Sequence, residues 1–91
     1  MKIKNDFEYL PIEQYEELFD LGLISAISTN GLEIVATNRD PKFHPRVGFL
    51  FKRSKKLEKA INDYFDGNLL VDAKTFWTTC RDIKSRIRTT N

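Results

Sequence analysis

Five residues near the C-terminal end of this 91-residue sequence have the types and spacing of a binding face. Lys74, Trp77, Arg81, Lys84 and Arg88 recur at intervals of three and four, so on a helix they share one side. Cations at this spacing neutralise phosphates or carboxylates. An indole among them stacks on a flat ring or anchors a protein contact. Phe76, Cys80, Ile83 and Ile87 repeat with the same period on the opposite side and predict a core face. The chemistry on offer is recognition of a negatively charged partner.

Bond-making chemistry finds little support. The sequence has one histidine, His44, between Pro41 and Pro45, and one cysteine, Cys80, on the expected core face. A nucleophile needs a base within hydrogen-bond reach, and no motif sets a serine or cysteine beside His44. Zinc takes about four His and Cys ligands, twice what this chain offers. The four glycines stand singly, so no phosphate-cradling loop is formed. Glu33 and Asp40 match no carboxylate metal pattern. The reading is a non-enzymatic protein with no cofactor and no metal.

A second basic group surrounds the centre of the chain. Lys52, Arg53, Lys55 and Lys56, with Lys59 after them, fall where a strand ends and a helix begins. Lysines in a first helical turn oppose the helix dipole, a small cost that suggests use. Free N–H groups at a helix start also attract phosphate. Arg46 closes the loop Arg39–Arg46, which adds Lys42 and an aromatic, Phe43. Basic residues beside aromatics suit single-stranded nucleic acid. Arg86 lies off the terminal stripe and is expected to pair with Asp82 at i,i+4.

Composition frames these groups. An apolar share of 41% supports one small domain over residues 1–91. The net charge of +2 hides an asymmetry. Residues 1–20 carry −4, residues 39–59 carry +6 and the last eleven +3. The acidic N-terminal stretch reads as a solvated face or as half of a charge-complementary homodimer. A third reading is a mimic of nucleic-acid phosphates. No run of about 18 apolar residues occurs, so no membrane span is expected. Met1–Lys4 precedes no apolar segment of the kind secretion uses, and a single cysteine fits a reducing compartment. The expected location is cytoplasmic.

The elements that must hold these residues follow from periodicity and punctuation. Pro11, Ile12, Tyr15, Leu18 and Phe19 have helical spacing. Asp20 caps a second helical stretch to Thr29, closed by Asn30-Gly31. Leu32–Asn38 alternates as a strand, and Arg46–Lys52 follows as its antiparallel partner, with Val47, Phe49 and Phe51 on one face. Ser54 caps a helix from Lys55 to about Phe65, with Leu57, Ala60, Ile61, Tyr64 and Phe65 inward, stopped at Gly67. Asp72 caps the last helix, about Ala73–Arg88. The expected class is α+β, in the order α(α)-β-β-α-α, a short antiparallel hairpin packed by helices. A third strand is expected from Lys2–Lys4 or Leu69–Val71, since two strands alone are marginal.

These residues also carry a resemblance. Gly48-Phe49-Leu50-Phe51, Tyr64-Phe65-Asp66-Gly67, Val71-Asp72 and Ile83-Lys84-Ser85-Arg86, with Leu57, Ile61 and Phe76, resemble a family of uncharacterised small domains of bacteria, their phages and plasmids. The likeness runs from Asp20 to Arg88 and leaves residues 1–19 as an acidic extension. Its motifs are core positions, caps and turn glycines, so it implies the element order and no catalytic residue. Such an origin raises two roles: a nucleic-acid-binding accessory protein, and an inhibitor of a host defence protein. The leading expectation is nucleic-acid binding, single strands favoured, through Arg46, Lys52, Arg53, Lys55, Lys56, Lys74, Trp77, Arg81, Lys84 and Arg88. With no groove-reading motif, sequence preference should be weak. The alternative is a protein-interaction module using the same anchors. Both expect the cations of the strand–helix junction and of the last helix to form one exposed patch.

Overall fold

β3, Gly48–Lys52, is the strand around which the rest is arranged, because its Phe49, Leu50 and Phe51 are buried whichever way they point. A strand apolar on both faces belongs at the centre of a sheet. The computed structural model describes residues 11–88, and in it β3 has a partner on each side. β1, Tyr15–Leu18, pairs antiparallel with it from Tyr15↔Lys52 to Leu18↔Phe49. β2, Ala36–Asn38, pairs antiparallel from Ala36↔Leu50 to Asn38↔Gly48. The sheet order is β1-β3-β2.

The fold class is α+β as expected, but the first element is not the expected helix. Pro11 starts a single 3-10 turn, Ile12–Gln14, and the chain then extends into β1. A helix this short is marginal in water. The exposed edge of β3 offers the same backbone a full set of partners. The third strand is therefore β1, while Leu69–Val71 stays a link. Lys2–Lys4 lies outside the described residues. The Leu32–Asn38 strand is also shorter than its alternation suggests. Leu32 N–H is taken by Ile27 O at the end of the preceding helix, 3.1 Å, and sheet pairing starts only with Val35 N–H to Leu50 O, 2.8 Å.

Three helices cover one sheet face. α1, Leu21–Thr29, starts at Asp20, whose carboxylate accepts the Leu23 N–H. It ends at Asn30, followed by Gly31 at φ +94°. Leu23 through Ile27 are all buried, so α1 is the central helix. α2, Lys55–Phe65, is capped by Ser54 and stopped by Gly67 at φ +79°. Its Leu57 and Ala60 are buried, with Ile61 and Tyr64 packed beside them. Phe65, expected in the core, is instead exposed and meets the Tyr64 ring edge to face at 5.2 Å. α3, Ala73–Arg88, packs along α1 through buried Ile83 and half-buried Phe76, Cys80 and Ile87. Val71 and Phe76 hold the N′ and N4 positions of a hydrophobic staple.

The edge strands are joined across the middle one. Directly opposed residues share a face, so Glu17, Leu50, Ala36, Asn38 and Gly48 lie on the side away from Phe49 and Phe51. There, buried Asn38 donates its Nδ2 to Glu17 Oε2 at 2.6 Å, passing over Gly48. A methyl group on Gly48 would collide with that carboxylate.

Candidate nucleic-acid interface

The α3 face is presented as its spacing predicts. Asp72 fixes where the helix starts: its carboxylate accepts the Thr75 N–H at 2.9 Å and the Thr75 hydroxyl at 2.7 Å. Those two hydrogen bonds, the hydroxyl's first, hold the Asp72 carboxyl below its ordinary value. With the start fixed and Ile83 facing inward, Lys74, Trp77, Arg81, Lys84 and Arg88 fall together on an exposed side. Trp77 is 59% exposed. Among the described residues, none of the four cations is in an ion pair. The one acid in the helix, Asp82, projects from a different side. From Lys74 to Arg88 the face runs about 21 Å at 1.5 Å per residue.

The strand–helix junction is built differently. Arg53 folds back onto the start of β1. Its guanidinium pairs with Glu16, its Nε donates to Glu13 O at 3.1 Å and its backbone N–H to Gln14 O at 2.8 Å. Lys59 is likewise held by Asp63 at 2.8 Å. Lys52, Lys55 and Lys56 are exposed and carry no ion pair among the described residues. Ser54 Oγ accepts the Leu57 N–H at 3.0 Å, and Glu58 puts an acid in the first turn of α2 to offset the two lysines.

Each group is tied to the sheet by its own contact. Arg53 follows Lys52, at the β1 side of one end of β3. The last turn of α3 is fixed at the other end, where Arg39, just beyond β2, donates its Nη2 to Arg86 O. Those ends are about 13 Å apart along β3. Of the cations expected in one patch, Arg53 is committed to β1.

Other expected residues find their places around these groups. Arg46 lies over the Phe19 ring at 4.4 Å. Arg86, expected on Asp82, instead sets its guanidinium 5.6 Å from the Phe49 ring centroid. His44 is exposed, and Cys80 is half-buried on α3. Among the described residues no group of three or more His, Cys, Asp or Glu could hold a metal ion. Burial pushes the Tyr64 phenol above its ordinary value, and the Asp20 carboxylate nearby adds to this. No helix among the described residues is long and apolar enough to cross a membrane.

Three features were not anticipated from sequence. Leu70, in the link before α3, is 87% exposed although its carbonyl is anchored by Asn30 Nδ2 at 3.0 Å. Phe65 lies near it in sequence, at the end of α2. Arg39 caps a helix 47 residues away. Only the last had any signal, a cation near a helix C-terminus, and that signal needs the tertiary fold to be seen.

No curated protein and no solved structure matches this chain. A family model does match, over residues 13–89. The match begins ahead of Asp20 and takes in β1, so the strand that completes the sheet is part of the shared unit. By that match, the chain belongs to the family described as a domain of unknown function, DUF5659.

Proposed function

We propose that this protein is a non-enzymatic nucleic-acid-binding accessory protein of weak sequence preference, and that α3 is its contact surface. One observation carries the reading: an open indole in a row of four cations that no acid neutralises among the described residues. Lys74, Arg81, Lys84 and Arg88 neutralise phosphates while Trp77 stacks on a base, and neither contact reads sequence. Arg46, Lys52, Lys55 and Lys56 contribute long-range attraction. Arg53, closed on Glu16, contributes least. A bacterial phage or plasmid origin suits such an accessory role.

Trp77 is the only tryptophan, so its fluorescence reports contact directly. Titration with single-stranded oligonucleotides should quench it. The logarithm of affinity should fall with that of salt by about 0.7 per phosphate contact. Absence of binding at about 50 mM salt overturns the reading.

One observation favours a second reading, a protein-interaction module or an inhibitor of a host defence protein. Phe65 and Leu70 are exposed, and Asp66 and Asp72 flank them in the sequence, an apolar and acidic segment unsuited to phosphate. A host partner retained on the immobilised protein after nuclease treatment, and lost with Leu70→Asp, is its test.

A further inference from the structure

An ordered pair of aromatic rings stands at the corner where α3 ends. The segment Arg39–Arg46 carries three cations against one acid, Asp40. Its 3-10 turn, Pro41–Phe43, is held by the Asp40 carboxylate, which accepts the Lys42 N–H at 3.0 Å. Backbone bonds from His44 to Pro41, 3.1 Å, and from Arg46 to Phe43, 2.7 Å, close it further. Phe43 is therefore fixed although it sits in a connection. Its ring packs against Phe19, tilted by 58°, with centroids 5.3 Å apart. The Arg46 guanidinium lies over Phe19 at 4.4 Å and the Lys42 ammonium over Phe43 at 5.3 Å. The order is cation, ring, ring, cation. Lys42 is the loose member: its side chain is 71% exposed and reaches Asp40 only at 4.0 Å.

This group adjoins the α3 face. Arg39 opens the segment and binds Arg86 O, two residues before Arg88, the last cation of the row. We propose that a single-stranded polynucleotide lying on α3 continues past the helix end onto this loop. There one base stacks on Phe43 in place of the Lys42 ammonium, and Lys42 and Arg46 turn to the flanking phosphates. The proposal rests on the α3 reading above and adds to it a second stacking plate and a direction of travel. A ring already backed by Phe19 loses little freedom when a base lands on it. Base stacking also outweighs an exposed cation–π contact, so displacement of Lys42 is downhill. A duplex keeps its bases paired and cannot use the plate.

The test uses the full chain and labelled oligothymidylates and oligouridylates of about four and about twelve nucleotides, followed by anisotropy and by Trp77 quenching. Phe43→Ala should weaken the longer oligomers about tenfold and the shorter ones by less than about twofold, with Trp77 still quenched. Dependence on Phe43 in both polymers assigns any single strand; dependence in one assigns that polymer. Phe43→Trp in a Trp77→Phe chain keeps a ring at the loop should Phe43→Ala unfold, and its fluorescence should respond to the longer oligomers only. Equal affinity of Phe43→Ala and the unaltered protein for the longer oligomers, with Trp77 quenched in both, overturns the extension and leaves the α3 reading standing. Failure of every oligomer to bind the unaltered protein overturns both.

Discussion

The β1–α2 corner and the outer side of α3 are both basic, yet the two regions spend their charge differently. At the corner, Arg53 closes on Glu16 and on carbonyls of the β1 turn and Lys59 on Asp63, while Lys52, Lys55 and Lys56 stay exposed and unpaired among the described residues. On α3, four cations and an indole face outward with no acid among them. Charge that finds a partner within the chain serves the fold, and charge left unpaired in a row is available to a ligand. Charge counts along the sequence cannot separate these uses.

The largest test of that contrast concerns the inner side of α3. Ile83→Ala removes a buried side chain at the contact with α1 and should cost about 2–5 kcal/mol of stability in denaturant unfolding. A loss below about 1 kcal/mol would mean that α3 is not held as described. Next is its outer side. Arg81→Glu with Lys84→Glu should lower single-strand affinity roughly 25-fold at about 0.1 M salt and cut the salt slope by about 1.4. The melting curve should barely move, because both side chains are exposed. Unchanged binding would erase the distinction between the two regions. Smaller still, Arg53→Ala should cost about 0.5 kcal/mol of stability, as exposed ion pairs do, and leave the salt slope as it was. A slope reduced as much as by an α3 substitution would make the corner part of the interface.

The last effect follows pH. Asp72 has a carboxyl held below its ordinary value in the folded chain, so its contribution is present above the unfolded value of 3.8. It is lost as pH falls through the lower folded value. The protection of the Thr75 amide against exchange, taken relative to its intrinsic rate, should fall only in that acid range, and Asp72→Asn should flatten the response.

Local signals made the helices legible. Asp20, Ser54 and Asp72 accept N–H groups where their types and positions predict, and Gly31 and Gly67 supply the left-handed turns. Spacing alone also placed Trp77 and its neighbours on the open side of α3. β1 was not legible. Ile12, Tyr15, Leu18 and Phe19 fit a helical period, and only the vacant edge of β3 decides for a strand. The fate of Arg53 was hidden for the same reason, since Glu16 is 37 residues away and reaches it only if β1 is extended. Phe65 kept the period of a core face but lies in the last turn of α2 and ends exposed.

The hydrogen bond from Asn38 to Glu17 acts as a key in a slot, and the slot is the missing side chain of Gly48. If β3 slid by one residue against its neighbours, the benzyl group of Phe49 or the isopropyl group of Val47 would fill the slot and force carboxylate and amide apart. Every side chain of the strand would also swap faces. Strands of three to five residues have few ladder bonds with which to police their own alignment. Here the two outer strands check each other through the one between them, so the sheet assembles in a single alignment and loosens as one unit.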